Sequence, residues 1–370
     1  MNIAHLTSVH GRFDVRIFIK MCMSLANNGH RVTLIVADGK HDEIRDGVEI
    51  FDVGASKSRL DRIKNSPKRI LERALLLDAD LYHLHDPELI PIGLKLKRLG
   101  KRVVFDSHED VPSQLLGKPY LNKPALWSLS KAYGLFERWA CRQLDGVITA
   151  TPFIRDKFLS VNQRTLDINN FPNIGEYDAA QVPWSKKANE VCYVGGISQG
   201  RGIRELIEAM GLVRSGVRLN LCGNFSGPWL VEKCKSIPGW HACNIYGYLD
   251  RPAVNNVLRK SVAGLVTFRP MPNHIFSQPN KLFEYMAAGI PVIASNFPLW
   301  KDIVLGYRCG LCVDPMDPIA IAIAIDYLSQ HPEEAFQMGQ NGRNAVAQYF
   351  NWSLEESKLI AFYKIILGVK

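Results

Sequence analysis

The sequence predicts an α/β protein made of two doubly wound domains. Apolar, β-branched runs alternate with amphipathic helical segments from end to end, which is the pattern of parallel sheets with crossover helices. A polar stretch at 172–189, which contains Pro183 and shows no clear periodicity, divides the alternation into two series. The length of 370 residues exceeds one typical domain and fits two.

The first domain is expected over residues 1–172. Its strands are predicted at Ile3–Ser8, Val32–Ala37, Val48–Val53, Leu81–Leu84, Val103–Ser107, Gly146–Ala150 and Leu166–Asn169. Its helices are predicted at Ile17–Asn28, Leu89–Leu99 and about 124–144. Gly29 and Gly100 mark the ends of the first two, because glycine takes the left-handed conformation that terminates helices.

The second domain is expected over residues 173–350. Its strands are predicted at Val191–Val194, Arg218–Cys222, Ala242–Tyr246, Ala263–Phe268, Val292–Ala294 and Leu311–Val313. Its helices are predicted at Ile203–Arg214, Trp229–Ser236, Ala253–Lys260, Asn280–Ala288, Pro318–Ser329 and Glu333–Tyr349. In such a sheet a ligand binds outside the carboxyl ends of the strands.

Composition indicates a cytoplasmic protein. The amino terminus lacks a basic head followed by an apolar run, and no stretch approaches the roughly 18 apolar residues that span a bilayer. The eight cysteines are scattered and are expected to be buried free thiols. Cys309 and Cys312 form one CxxC pair without a second ligand pair, so no metal site is expected.

The charge is +9 and unevenly distributed. A dense basic run from Lys57 to Arg73 is interleaved with apolar residues at helical spacing, and a second basic cluster lies at 95–102. The run is compatible with a helix docked on an anionic membrane surface and equally with a solvated helix face. Nucleic acid is not expected as a partner, since no stacking aromatics or nucleic-acid motif accompany the charge.

The most distinctive segment is PNKLFEYMAAGIPVIAS, from Pro279 to Ser295. It predicts a loop, a short helix carrying Glu284, a turn at Gly289 and a buried strand. The amide end of such a helix favours a diphosphate, and the carboxylate accepts hydrogen bonds from ribose or sugar hydroxyls. The segment therefore predicts a sugar-nucleotide site.

This wording resembles the donor-binding motif of the GT-B glycosyltransferases, specifically the large retaining family 4. The resemblance implies two Rossmann-like domains facing each other across a cleft, with a last helix, at about 351–370, that crosses back onto the first. The family's fuller signature has two glutamates separated by seven residues, and this chain has Phe276 where the first would stand.

The resemblance also implies which residues of the second domain bind the donor. Asn280, Lys281 and Leu282 are expected to contact it, and Glu284 is expected to anchor the nucleotide ribose and to serve in catalysis. No DxD pair follows a strand of this domain, so no metal or other cofactor is expected, and the nucleoside-diphosphate sugar is the co-substrate.

A glycine turn, Gly195-Gly196, follows the first predicted strand of the second domain and leads to Arg201. Glycines at this point let backbone amides approach a phosphate. In the resembled family a basic residue at the position of Arg201 contacts the donor diphosphate. A second arginine often follows the first glycine, and here that position is Gly196. Lys281 is the candidate to supply the missing charge.

Two polar runs end neighbouring strands of the first domain, DSHED at 106–110 and HLHDP at 83–87. The resemblance implies that His108 lies near the transferred sugar and is catalytic, and Glu109 is a candidate acceptor ligand beside it. His85 is expected either to face the cleft or to cap a helix. Asp86 is expected to cap the helix that follows it.

The loop after the first strand supplies the remaining acceptor candidates. His10, Asp14 and Arg16 carry groups able to bind acceptor hydroxyls or phosphate. The loop lacks the G-x-G-x-x-G pattern, which argues against a dinucleotide oxidoreductase.

The implied reaction is transfer of a sugar to an acceptor hydroxyl with retention at the anomeric carbon. Family habit suggests bacterial surface-polysaccharide assembly (O-antigen, capsule or exopolysaccharide), with a polyprenyl-diphosphate-linked or oligosaccharide acceptor, near the inner face of the cell membrane. Two alternatives stay open at this point. One is a sugar-nucleotide 2-epimerase of the same fold, and the other is an inactive GT-B subunit that supports a partner transferase.

Overall fold

The computed structural model describes residues 1–116, 122–177 and 182–369. It consists of two compact units, Met1–Asn170 with Leu354–Lys370, and Phe171–Ser353. The boundary between the units, after Asn170, falls two residues before the boundary after residue 172 that the sequence suggested. The C-terminal segment belongs to the first unit, where the hydroxyl of Tyr363 lies 2.6 Å from Nδ1 of His83.

The first unit is built on an eight-stranded sheet. Its strands are β1 (Asn2–Leu6), β2 (Arg31–Val36), β3 (Glu43–Arg45), β4 (Val48–Asp52), β5 (Leu81–Leu84), β6 (Arg102–Ser107), β7 (Gly146–Thr149) and β8 (Thr165–Asp167). Their spatial order is β3-β4-β2-β1-β5-β6-β7-β8. Every pair is parallel except β3 with β4.

Helices surround this sheet. A π-helical segment, Val15–Cys22, continues into α1 (Met23–Asn27). The others before the second unit are α2 (Arg59–Lys64), α3 (Ser66–Leu77), α4 (Ile90–Arg98), α5 (Val111–Leu116), α6 (Lys123–Cys141) and α7 (Pro152–Leu159). Sequence analysis missed β3, α5 and α7. β3 is a three-residue edge strand too short for a periodic signal, whereas α7 carries a Thr-Pro start signal that was overlooked.

The second unit has a six-stranded parallel sheet. Its strands are β9 (Glu190–Val194), β10 (Arg218–Cys222), β11 (Cys243–Gly247), β12 (Ala263–Val266), β13 (Val292–Ser295) and β14 (Gly310–Val313), in the order β11-β10-β9-β12-β13-β14. Its helices are α8 (Ile203–Met210), α9 (Pro228–Lys235), α10 (Arg251–Lys260), α11 (Pro272–Ile275), α12 (Asn280–Ala287), α13 (Pro298–Val304), α14 (Pro318–Gln330) and α15 (Pro332–Tyr349). α16 (Trp352–Leu367) ends the chain.

Both sheets confirm the predicted doubly wound α/β class. Most strands run as buried segments, because helices cover both faces of a parallel sheet, whereas the edge strands β3 and β11 are partly exposed. The predicted free thiols are confirmed, since all eight cysteines are free and six of them are buried. Within the part of the chain that the structure describes, no helix combines the length and the apolarity needed to cross a bilayer.

The strand order fixes where a ligand can bind in each unit. The direction of winding reverses between β1 and β5 in the first sheet and between β9 and β12 in the second. At such a reversal the connections leave in opposite directions and open a crevice at the carboxyl ends of the strands. The segments after β1, β5 and β6, and those after β9 and β12, are therefore the places where functional side chains are expected.

Gly202, at the start of α8, provides a test of this backbone geometry. It has a left-handed φ of 69°, and an added Cβ would lie 1.9 Å from the carbonyl oxygen of Thr267. We expect Gly202→Ala to lower the free energy of unfolding by about 2 kcal/mol or more, combining backbone strain with a steric clash. Gly247→Ala is the matched control, with a φ of 67° and open space around the added methyl, and should cost about 1 kcal/mol or less. Equal losses in urea unfolding would contradict the steric part of the argument.

Candidate functional site

The loop after β1 is held by the carboxylate of Asp86, which follows β5. One oxygen of this buried carboxylate accepts hydrogen bonds from the backbone N–H groups of Ser8 at 2.6 Å and Val9 at 3.2 Å, and from the hydroxyl of Thr7 at 2.7 Å. The predicted helix-capping role of Asp86 is wrong, because its side chain makes no capping hydrogen bond to the helix that follows. Asp86 instead joins the two strand ends on either side of the winding reversal.

His10, at the tip of that loop, forms an ion pair with Asp86. Its Nδ1 lies 3.0 Å from the second carboxylate oxygen. Burial lowers the pKa of His10, but the hydrogen bond and charge of Asp86 raise it further, so the net pKa is above the ordinary 6.5. Burial acts against ionisation of Asp86, yet His10 and the surrounding donors hold the pKa of Asp86 well below its usual range. The Asp86 carboxylate therefore favours the protonated form of the imidazole in this loop.

Asp106, at the end of β6, is the centre of a buried charge network. Its carboxylate accepts two hydrogen bonds from the guanidinium of Arg16, at 2.9 and 2.8 Å. The same carboxylate lies 3.0 Å from Nε2 of His108 and 3.3 Å from Nδ1 of His85. Burial opposes the charge on Asp106, but Arg16 and His108 outweigh it and keep its pKa well below the usual value. With Asp106 accepting from Nε2, the Nδ1 atom of His108 is left for a ligand.

A chain of imidazoles continues behind His108 into the core. Nδ1 of His5 lies 2.8 Å from Nε2 of His85, and burial lowers the pKa of His85 to about 4. Burial likewise lowers the pKa values of His5 and His83, so these rings are neutral. His5, His83 and His85 lie close enough to be considered as metal ligands.

The distances within this cluster favour hydrogen bonding over metal ligation. A tetrahedral zinc ion with bonds of about 2.0–2.1 Å keeps its nitrogen ligands about 3.3 Å apart, whereas the shortest separation here, between His5 and His85, is 2.8 Å. Arg16 also pairs with Asp106 at 2.8 Å beside the cluster, and its positive charge disfavours a metal cation there. The sequence-based expectation of no metal stays a prediction.

The structure brings some of the first-domain candidates together and gives others structural contacts. The rings of His10 and His108 lie 4.9 Å apart, and Glu109 is exposed beside them. Asp14 caps the π-helical segment by accepting from the N–H groups of Arg16 and Ile17. Arg16 is buried against Asp106 and the carbonyl of Ile168. These contacts favour structural roles for Asp14 and Arg16, and their proposed acceptor contacts stay predictions.

In the second unit the glycine turn after β9 lies beside two cationic side chains. Gly195 has a φ of 107°, and an added Cβ would lie 3.4 Å from Nζ of Lys281 and 3.6 Å from Nη1 of Arg201. Arg201 donates a hydrogen bond to the carbonyl of Gly196 at 3.1 Å. The turn therefore brings a lysine and an arginine to one place without an intervening side chain.

Lys281 is the least satisfied group of this site. It is 7% exposed, and its amino group has no hydrogen-bond partner among the described residues. Nζ lies over the ring of Tyr193 at 3.6 Å and over Phe268 at 5.2 Å, contacts that partly stabilise a cation. Burial and then the charge of Arg201 hold the pKa of Lys281 well below 10.5. A bound anion would relieve both effects.

Glu284 lies one helical turn after Lys281 on α12 and is half-buried. Burial, followed by the nearby carboxylate of Glu284, raises the pKa of Tyr177. The other two predicted donor residues of this helix differ in exposure. Asn280 is exposed, and Leu282 is fully buried in the core. Burial favours a packing role for the Leu282 side chain, and its donor contact stays a prediction.

Sequence analysis missed three aromatic residues at this site. Tyr193 and Phe268 lie under the two cations, and the pKa of Tyr177 is raised by burial and then by Glu284. Tyr193 is the penultimate residue of β9, and Phe268 follows β12 after Thr267. Their positions at strand carboxyl ends were a usable signal, whereas Tyr177 lies in the connecting stretch, where no pattern identifies a partner.

The basic run Lys57–Arg73 forms two short helices, α2 and α3, and several of its arginines face the protein. Arg62 pairs with Glu88 at 3.1 Å. Arg69 donates to the carbonyls of Val53 and Gly54. Arg73 lies over the ring of Phe51 at 3.8 Å. These three arginines are thus held by other parts of the first unit, whereas Lys64 and Lys68 are exposed. Both alternatives for this run, membrane docking and a solvated face, stay predictions.

The His10–Asp86 pair gives a pH prediction. In the wild type we expect the His10 imidazole to titrate above 6.5, because the carboxylate favours its charged form. In Asp86→Asn the effects of the Asp86 hydrogen bond and charge are lost, while burial and the raising effects of Asp14 and Asp106 are left, so the pKa of His10 should fall relative to the wild type. A raised pKa of His10 in the folded state stabilises the fold at pH values below the ordinary pKa of histidine, and this contribution is lost as the pH rises through the pKa of the folded state. The variant should therefore also lose this dependence of the free energy of unfolding on pH. NMR titration of the His10 ring protons measures both pKa values, and an unchanged value in the variant would contradict the pairing.

Comparison with known proteins places both halves of the chain in one enzyme class. Residues 176–345 match the family model described as Glycosyl transferases group 1, and residues 15–166 match the model described as Glycosyltransferase Family 4. A glycogen synthase of Mycobacterium tuberculosis is 23% identical over 235 residues, which cover 61% of this chain but only 55% of that protein. An uncharacterized glycosyltransferase of Methanocaldococcus jannaschii is 22% identical over 369 residues, covering 93% of this chain and 92% of the relative.

Solved structures show the same fold. Sucrose-phosphate synthase from Thermosynechococcus elongatus superimposes with a TM-score of 0.76 at 19% identity, over 100% of this chain and 99% of that one. HepE from Anabaena, solved in complex with UDP-glucose, gives a TM-score of 0.73 at 13% identity, over 99% and 100% of the two chains. The fold is thus GT-B. With the two family models matching most of both units, the chain belongs to the GT-B glycosyltransferases of the family 4 type.

Proposed function

We propose that this protein transfers a sugar from a nucleoside-diphosphate sugar to an acceptor hydroxyl, with retention at the anomeric carbon. The observation that carries the proposal is the buried, unpartnered amino group of Lys281, which lies with Arg201 against the Gly195 turn. A diphosphate is the ligand that this arrangement suits, because its negative charge compensates two cations in a site of low polarity. The structural neighbour HepE was solved with UDP-glucose.

In the proposed reaction the bond from the anomeric carbon to the diphosphate breaks, with its electron pair leaving on the diphosphate oxygen. A bond from the anomeric carbon to the acceptor oxygen forms, and the acceptor proton passes to the leaving diphosphate. Negative charge grows on the leaving diphosphate, and Lys281 and Arg201 are preorganised to stabilise it. Glu284 accepts hydrogen bonds from the nucleotide ribose. His108, whose Nε2 is directed to Asp106, offers Nδ1 to the transferred sugar.

The acceptor side of the proposal rests on the loop after β1. A protonated His10, held by Asp86, suits a phosphate or a hydroxyl-rich acceptor. A polyprenyl-diphosphate-linked or oligosaccharide acceptor, used in assembly of a bacterial surface polysaccharide at the inner face of the membrane, supplies both kinds of group. No metal or cofactor takes part in this proposal.

A product assay separates the proposal from its alternatives. The full chain is incubated with a panel of radiolabelled nucleotide sugars and a polyprenyl-diphosphate-linked acceptor, and the products are identified. Sugar on the acceptor with unchanged anomeric configuration supports a retaining transferase. An altered donor sugar would identify a 2-epimerase, and no product over a broad panel would favour an inactive subunit.

Removal of the Lys281 charge should affect binding and stability in opposite directions. We expect Lys281→Met to weaken binding of a nucleoside diphosphate by about tenfold or more, because a charge-assisted contact is lost. The same change should leave the unliganded fold as stable or more stable, because a buried unpaired charge is removed. Calorimetric binding and thermal unfolding measure the two effects. Exposed Lys301 gives the control variant Lys301→Met, and weakening of nucleotide binding by the same factor in both variants would contradict a specific role.

Glu284 provides an independent test of the donor site. We expect Glu284→Gln to keep the fold, since the amide has nearly the same shape as the carboxylate and the side chain is only half-buried. We expect it to lose transfer by about 100-fold or more, in line with the loss of a preorganised polar contact. The measurement is initial-rate transfer at saturating donor, with nucleotide affinity determined in parallel. Wild-type rate and affinity in the variant would defeat the assignment of Glu284.

A further inference from the structure

Helix α6 has an exposed face that combines large aromatic residues with cations. Trp127, Leu135 and Trp139 are 58%, 71% and 52% exposed, values that are unusual for three large apolar side chains on one helix. Their spacing of eight and four residues puts them on neighbouring positions of one side of the helix. The opposite side packs into the unit through Leu126, Ser130, Glu137, Ala140 and Cys141.

The same exposed face carries positive charge and no negative charge. The exposed cations of α6 and its C-cap are Lys123, Lys131, Arg138 and Arg142. The one acidic residue of the helix, Glu137, is fully buried and paired with Lys157 at 2.8 Å. α4, which packs beside α6, adds exposed Lys95 and Arg98 and contains no acidic residue.

From these observations we propose that the exposed face of α6 docks on an anionic lipid bilayer, lying in the plane of the interface. Tryptophan is amphipathic and suits the boundary between headgroups and acyl chains. Lysine and arginine around it are attracted to anionic headgroups. A helix of 19 residues with such a face is long enough, at about 28 Å, to lie along the surface as interfacial helices do.

Charge argues against a second copy of this chain as the occupant. A twofold dimer would place the same patch against itself, so the cations around Trp127 and Trp139 would face one another across a desolvated contact. Such like-charge contacts cost several kcal/mol. An anionic surface converts the same cations into a favourable contribution, and it is the occupant to which the face is complementary.

The α6 face differs from the basic run that sequence analysis selected. In α2 and α3 the side chains of Arg62, Arg69 and Arg73 are bound to other parts of the first unit. On α6 the ring of Trp127 has Lys131 near it, with Nζ at 5.8 Å, and both are exposed. α6 combines its exposed cations with two exposed tryptophans, whereas α2 and α3 contain no tryptophan, and we therefore place the docking surface on α6. The inference is independent of whether the proposed transferase reaction occurs.

Vesicle sedimentation of the full chain tests the proposal. We expect binding to phosphatidylcholine vesicles that contain phosphatidylglycerol, weaker binding at high salt, and little binding to phosphatidylcholine alone. Lys131→Gln with Arg138→Gln should weaken binding about 25-fold, at about fivefold per cation. Trp127→Ser with Trp139→Ser should weaken it at constant charge and remove the blue shift of tryptophan fluorescence that vesicles induce.

The matched control is Lys64→Gln with Lys68→Gln, which removes the same charge from exposed positions of α2 and α3. Binding of this variant should stay within about twofold of the wild type, because the two side chains lie outside the docking face. Thermal unfolding shows whether each variant is folded. If the tryptophan variant does not fold, the binding of the Lys131→Gln, Arg138→Gln variant decides whether the α6 face docks on the vesicles. Three outcomes would overturn the proposal: no binding of the wild type to anionic vesicles, equal loss in the control, or a concentration-dependent dimer that needs Trp127 and Trp139 while vesicles do not bind.

Discussion

The first unit depends on one buried carboxylate, that of Asp106. Removed from water, this charge is tolerable only because Arg16 and the neighbouring imidazoles surround it with donors. Those donors come from three different places: the segment after β1, the residue after β5 and the loop after β6. The need to pair one buried charge therefore fixes the relative positions of three strand ends, and with them the orientation of His108. Loss of the arginine would leave the carboxylate uncompensated and release all three.

The second unit treats a buried charge in the opposite way. Lys281 is packed between aromatic rings and the Gly195 turn without an acidic partner within hydrogen-bond distance. The core around α12 supplies the stability that this costs, since Leu282, Phe283 and Tyr285 are fully or almost fully buried and Tyr285 accepts from the N–H of Val194 at 2.9 Å. A rigid, well-packed helix thus presents an amino group that has no hydrogen-bond partner among the described residues. The first unit pairs its buried charge internally, whereas the second leaves the amino group of Lys281 unpaired within the part of the chain that the structure describes.

The sequence predicted the features that depend on neighbouring residues. Alternating strands and helices, the glycine turn and the α12 motif are all local patterns, and each lies where it was expected. It failed where a side chain's partner is distant in the chain. Asp86 has a helix-capping position but bonds a loop almost 80 residues earlier. The pairing of Arg16 with Asp106, 90 residues away, is likewise invisible to local pattern, and the acceptor contact expected of Arg16 stays a prediction. Local propensity cannot reveal which of two polar partners a side chain meets after folding.

The same distinction applies to the basic surfaces. A cation contributes to binding a surface only if its head group is free and exposed. In the Lys57–Arg73 run, Arg69 and Arg73 are held by the carbonyls of Val53 and Gly54 and by the ring of Phe51, whereas Lys64 and Lys68 stay exposed. α6 has a lower density of cations in sequence, and its apolar residues looked like core positions. Only burial separates Leu126, which packs inward, from Trp127, which faces solvent. Because a single residue turns the helix by about 100°, the membrane-binding character of such a face is set by its orientation on the sheet rather than by its composition.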